Sequence, residues 1–197
     1  NPEAVFGTGR GFVTDPSSQT DIHGSLLLED GDVVVNLTYI GTVRMNSCGE
    51  VQWTLREGGH HSISRGEDGT FWIPAVSPEK RSSSTSFPNG FPGLDDPVWV
   101  DRILHVSADG KILKDIPILE VLYENQMERD ISRLANRSSD ITHMNDIEPL
   151  SSTESDSYPL FESGDLLVSL HHMNMVLVVD PETKKVKWFE DRPFSGQ

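Results

Sequence analysis

Short apolar runs punctuated by Gly, Asp and Asn run along almost the whole chain, and they predict strands joined by tight turns. Gly24 to Leu28 reads as a strand, Asp30-Gly31-Asp32 as a hairpin turn, and Val33 to Thr38 as a strand rich in β-branched residues. Gly41 to Met45, a turn at Asn46 to Gly49, and Glu50 to Leu55 complete an antiparallel meander. The pattern restarts with His61 to Ser64, a turn at Glu67-Asp68-Gly69, and Thr70 to Val76. A Ser/Pro/Gly-rich stretch over 77–97 predicts a long surface loop. Val98 to Ser107, an Asp109-Gly110 turn and Lys111 to Ile118 then close a second unit. Residues 119–135 break the pattern. There Leu119, Leu122, Gln126 and Ile131 fall near helical spacing with no Gly or Pro, which predicts one inserted helix. A third unit runs through Thr142 to Pro149, Gly164 to Leu170, Met175 to Asp180 and Lys185 to Phe189, with a polar loop at Ser151 to Ser157.

The three units share a layout. Each opens on a histidine with a small polar partner, at His23-Gly24-Ser25, His61-Ser62 and His143-Met144-Asn145. Each continues through a turn of acidic or small residues and glycine, and two end near a tryptophan, Trp53 and Trp188. Repeated four-stranded meanders are the units of β-propellers, so the fold class is all-β, with about three blades near 20–56, 60–118 and 142–190. The first strand of each blade faces the central channel, which would turn His23, His61 and His143 into neighbours by rotation. Closing a propeller takes about four to eight blades. Further blades are therefore expected from sequence beyond that given, and the start at Asn1-Pro2 reads as a processed product or fragment.

Composition narrows the partners. A net charge of -15 argues against nucleic acid, whose phosphates attract basic surfaces. One cysteine, Cys48, excludes an internal disulfide framework and a thiolate zinc cluster. No apolar run is long enough to span a bilayer. Clustered histidines would provide a local cationic well in this acidic chain. They suit chemistry that develops negative charge on oxygens and uses an imidazole as nucleophile or as proton donor near neutral pH.

The longest specific block is His143-Met144-Asn145-Asp146-Ile147-Glu148-Pro149-Leu150, followed by Gly164-Asp165-Leu166-Leu167-Val168-Ser169-Leu170, Val178-Val179-Asp180-Pro181 and Val186-Lys187-Trp188. Upstream stand His60-His61-Ser62-Ile63, Asp68-Gly69-Thr70-Phe71-Trp72 and Asp21-Ile22-His23-Gly24. These segments resemble the arylsulfate sulfotransferases, six-bladed propeller enzymes that move a sulfuryl group between phenols without a nucleotide donor. The resemblance implies that His61 and His143 are catalytic, with Asn145 a hydrogen-bonding neighbour that binds substrate. The family arginine after the Leu-Leu-Val-Ser-Leu strand is replaced here by His171, whose charge near neutrality is only partial. The family's nucleophilic histidine is expected in a segment just past Gln197. A phenolic sulfate and a phenol acceptor are the implied small-molecule partners, no cofactor is implied, and a periplasmic or secreted location follows the same resemblance.

Alternative roles compete at several positions. His23 is read either as a turn cap or as a further substrate-binding residue. In extended chain, His60 and His172 would point away from His61 and His171, so one of each pair is expected in the channel. His105, Trp53 and Trp188 are expected to pack the blades, and Trp72 and Trp99 either pack the core or flank a phenolic ring. No metal is expected, because no close His-x-His or His-x-x-x-His pair exists. A non-catalytic binding propeller or a metal-dependent hydrolase or lyase are the other function classes. Sequons at Asn36-Leu37-Thr38 and Asn136-Arg137-Ser138 allow glycosylation.

Overall fold

A computed structural model describes residues 21–135 and 138–191. Three four-stranded antiparallel sheets follow one another along the chain, each with its strands in sequence order. The first holds β1 (Ile22–Leu27), β2 (Val33–Leu37), β3 (Gly41–Met45) and β4 (Val51–Leu55). The second holds β5 (Ser64–Arg65), β6 (Phe71–Val76), β7 (Asp101–Val106) and β8 (Ile112–Pro117). The third holds β9 (Met144–Pro149), β10 (Leu166–Leu170), β11 (Met175–Val179) and β12 (Val186–Glu190). The meanders arise locally. Gly31 and Gly110 take φ of 85° and 82° in their Asp-Gly turns, a region open to glycine without a Cβ penalty.

The second sheet lies between the other two, and this explains why β6 is buried at every residue instead of alternating. Phe71, Ile73 and Ala75 face the first sheet and pack with its Val34 and Leu55. Trp72 and Ile103 belong instead to the core shared with Met144, Ile147, Val168 and Leu177 of the third sheet. Each such side chain, fully buried, contributes about 1.5–3 kcal/mol. Trp53 packs between blades as expected: its ring centroid lies 5.8 Å from that of Phe71, and its Nε1 donates to the carbonyl of Ala108. Trp188 does not; it is half-exposed beside Val178 and Leu167 on the outer face of the third sheet.

The single helix expected at 119–135 is two helices, α1 (Ile118–Glu124) and α2 (Glu128–Ala135). Gln126 takes φ of 62°, Met127 N donates to Leu122 O and Gln126 N to Tyr123 O. This is the paired bonding of a Schellman cap with glutamine in place of glycine, which is why the break carries no compositional mark. Buried Leu122 and Met127 reward it. Asn125 ties the break to the third sheet, its Nδ2 donating to Lys184 O and its Oδ1 accepting from Val186 N. The 77–97 segment is a loop, but an anchored one. Arg81 and Val98 exchange backbone hydrogen bonds, and Phe91 is buried against Tyr123 of α1. A short α3 (Ser152–Ser155) is closed by a capping box between Ser151 and Glu154.

The first strand of the second blade is shorter than expected, leaving His61 to Ile63 outside it. Asn36 of β2 reaches across, its Nδ2 donating to the carbonyls of His60, His61 and Ser62 at 3.2, 3.2 and 3.0 Å. Thr42 Oγ1 donates to its Oδ1 at 2.6 Å, and the side chain has no exposed surface. The sequon reading of Asn36 is therefore corrected: a fully buried, fully engaged amide offers no glycosylation acceptor in the folded chain. Asn136 lies outside the described residues.

Candidate active site

The site is built where the three first strands come side by side. His23 stands in β1, His61 lies three residues before β5, and His143 immediately precedes β9. Neither of the latter is extended. Their φ values of 52° and 47° are left-handed, a costly conformation for a residue with a Cβ, and each turns its ring toward the same place. Close backbone approach holds them there. A Cβ on Gly24 would lie 1.8 Å from the His61 carbonyl oxygen, so only glycine fits against that turn. The Asn145 carbonyl accepts from Ser62 N at 3.4 Å, joining the second and third blades.

His61 and His143 meet through their Nε2 atoms at 3.3 Å. The His23 and His61 ring centroids are 3.9 Å apart. Behind His143, its Nδ1–H donates to Asp140 Oδ2 at 2.6 Å, and this bond, with the carboxylate's charge, lifts the imidazole above its ordinary range. His61 has no carboxylate of its own. Burial, then the charges of His60, His23 and His143, push it down to about 3. A neutral His61 therefore faces a more basic His143 across the contact between the two Nε2 atoms.

A second layer supports this pair. Asp101, at the start of β7, is buried, which disfavours its charge. The approach of the His60 imidazole outweighs that, with hydrogen bonds from Thr142 Oγ1 at 2.5 Å and Met144 N at 2.9 Å, so the carboxyl stays below its usual range. His60 Nε2 lies 3.3 Å from Asp101 Oδ1. Tyr39, Trp99, Val76 and Ser139 join His60, Asp101, Asp140 and His143 around a cavity of about 260 Å³. An aromatic wall, two carboxylates and two imidazoles thus share one concave surface.

The family model of the arylsulfotransferases (ASST) matches residues 16–195. The chain belongs to the arylsulfotransferase family. No curated protein matches it. Two solved structures are similar at low identity. A protein of unknown function from Bacteroides caccae is 11% identical with a TM-score of 0.44, covering 91% of this chain and 49% of that one. A selenomethionine-substituted virginiamycin B lyase from Staphylococcus aureus is 12% identical with a TM-score of 0.35, covering 93% of this chain and 59% of that one. The chain thus spans about half the length of the solved structures it matches.

In this member of the arylsulfotransferase family the histidines named from sequence converge, and the arrangement differs from expectation in two ways. His171 lies beside His143, with ring centroids 5.6 Å apart and its N–H donating to the His143 carbonyl. The expected division between His171 and His172 fails, because residues 171–174 form a turn closed by Asn174 N on the His171 carbonyl. Alternation does not apply there, and the His172 ring centroid is only 4.6 Å from that of His143. His60 likewise lines the cavity beside His143 instead of turning away, since the left-handed His61 breaks the extended run. Asn145 falls at a bulge in β9, and so does His23 in β1, where an extra residue re-aims the side chain. The Asn145 Oδ1 is buried and accepts no hydrogen bond from the protein. Trp99 lines the cavity, whereas Trp72 stacks on His105 with centroids 4.0 Å apart and planes 2° from parallel. Asp140, Asp101 and Tyr39 went unnoticed in sequence, and Asn36 was read there only as a sequon. Only Asp140 left a signal, the Asp-x-x-His spacing to His143.

Proposed function

We propose that this chain carries part of the active site of an enzyme that moves a sulfuryl group from a phenolic sulfate ester to a phenol, through a histidine intermediate and without a nucleotide donor. The supporting observation is the His61–His143 pair, two imidazoles at 3.3 Å of which only His143 is backed by a carboxylate. In the first half-reaction an N–S bond forms on an imidazole as the S–O bond to the donor breaks, and protonated His143 delivers its proton to the departing phenolate. In the second half, neutral His143 takes the proton of the acceptor phenol, whose oxygen attacks sulfur and releases the imidazole. Neutral His61, with Asn145, His171 and His23, would hold the sulfuryl oxygens, and the unpaired acceptor on Asn145 would orient a hydroxyl. A six-bladed ring and a periplasmic or secreted location belong to the same proposal.

The test is transfer from 4-nitrophenyl sulfate to phenol by the full-length protein, without nucleotide. Release of nitrophenolate dependent on acceptor is expected, with a loss on the order of 10²-fold or more in His143→Ala. No transfer, or full transfer by His143→Ala, would overturn the proposal.

A further inference from the structure

We propose that Asp140, His143 and His172 form a binding site for a divalent transition-metal ion, zinc first among them. One carboxylate oxygen and two imidazole nitrogens of these residues all lie within 4.8 Å of one another. Two imidazoles and one carboxylate form a borderline donor set that suits zinc, cobalt or nickel better than calcium or magnesium, which favour oxygen. Spacing between histidines missed this set, because its local pair is Asp-x-x-His and its third member comes from another segment.

The distances are those of a site close to binding geometry. Asp140 Oδ2 is 2.6 Å from His143 Nδ1 and 3.7 Å from His172 Nδ1. Ligand bonds of about 2.0–2.2 Å would place such donors about 3–3.5 Å apart. The first pair must open by about 0.4–0.9 Å and the second must close by about 0.2–0.7 Å. The backbone is already pinned for this, with His172 N donating to Thr142 O at 3.2 Å and His171 N to His143 O at 3.0 Å. The larger rearrangement falls on the His172 ring, which gives up its 2.7 Å bond to the Asp140 carbonyl and is the most exposed of the three.

Access and further coordination are present as well. Asp140 and His143 line the 260 Å³ cavity, which leaves positions for water beyond three protein ligands. Binding exchanges the Nδ1 proton of His143 for the metal. The neutral ring then carries its remaining proton on Nε2, facing Nε2 of His61.

The experiment uses the full-length protein stripped with a chelator and then dialysed against zinc, with metal analysis, and titrated with cobalt followed by visible absorption. One ion per chain is expected. His172→Ala and Asp140→Asn should each weaken binding by about tenfold or more, and His105→Ala should leave it unchanged. Circular dichroism confirms folding, and His172→Gln replaces His172→Ala if the latter does not fold. Absence of stoichiometric binding would overturn the proposal, as would binding undiminished by both His172 and Asp140 substitutions. Sulfuryl transfer is assayed separately on the stripped protein, so a failure of that activity leaves the metal measurement intact.

Discussion

The Nε2 atoms of His61 and His143 stand 3.3 Å apart although 82 residues separate them in the chain. Two like donors at that distance must divide one proton, and the surroundings decide the division. Asp140 favours the charge on His143, while burial and neighbouring histidines deny it to His61.

That division sets a pH dependence with two signs. His61 is held at about 3 against an ordinary value of 6.5, so as pH falls below about 6.5 the unfolded chain gains a proton that the folded chain refuses. Stability is lost over that window, and His23 and His105, also lowered chiefly by burial, act in the same sense. His143 is raised, so its contribution is complete below 6.5 and disappears as pH rises through its folded value. Urea midpoints between pH 7 and pH 4 should fall less in His61→Gln than in wild type. An equal fall in both would contradict this assignment.

Asp140→Asn keeps the shape and removes the charge behind His143. Transfer should drop on the order of 10²-fold at neutral pH, and the alkaline limb of the rate profile should move to lower pH. A reduced rate with an unmoved profile would mean that Asp140 only positions the ring.

Gly24→Ala places a methyl 1.8 Å from the His61 carbonyl oxygen, on backbone that Asn36 holds from the other side. The cost should be about 2 kcal/mol or more, read from denaturant unfolding. A neutral substitution would show that the His61 turn is free to shift.

Asn36→Ala removes a side chain that donates to three carbonyls from full burial, and should cost about 1–3 kcal/mol. After expression in a glycosylating host, peptide mass analysis of the folded protein should find Asn36 unmodified.

His171→Arg places a permanent charge next to His143. A gain of about tenfold in transfer is expected. No gain would place the sulfuryl oxygens elsewhere.

The strands and turns, and the blade-opening histidines, were legible in sequence because they are local. An Asp-Gly pair flanked by β-branched residues makes a hairpin wherever it stands, and three repetitions of one layout align His23, His61 and His143. What lies behind those histidines has no local signature. Asp101 begins a strand far from His60, Asn36 is an unremarkable strand residue, and Gln126 ends a helix without glycine or proline, rewarded by burial of Leu122 and Met127. Which nitrogen of which ring faces which partner depends on left-handed turns at His61 and His143, the first held by Gly24 and Asn36 of the adjacent sheet and the second by the His171 amide and Asp140. Sequence alone determined that three histidines would share one mouth; packing between sheets decided which of them holds the proton.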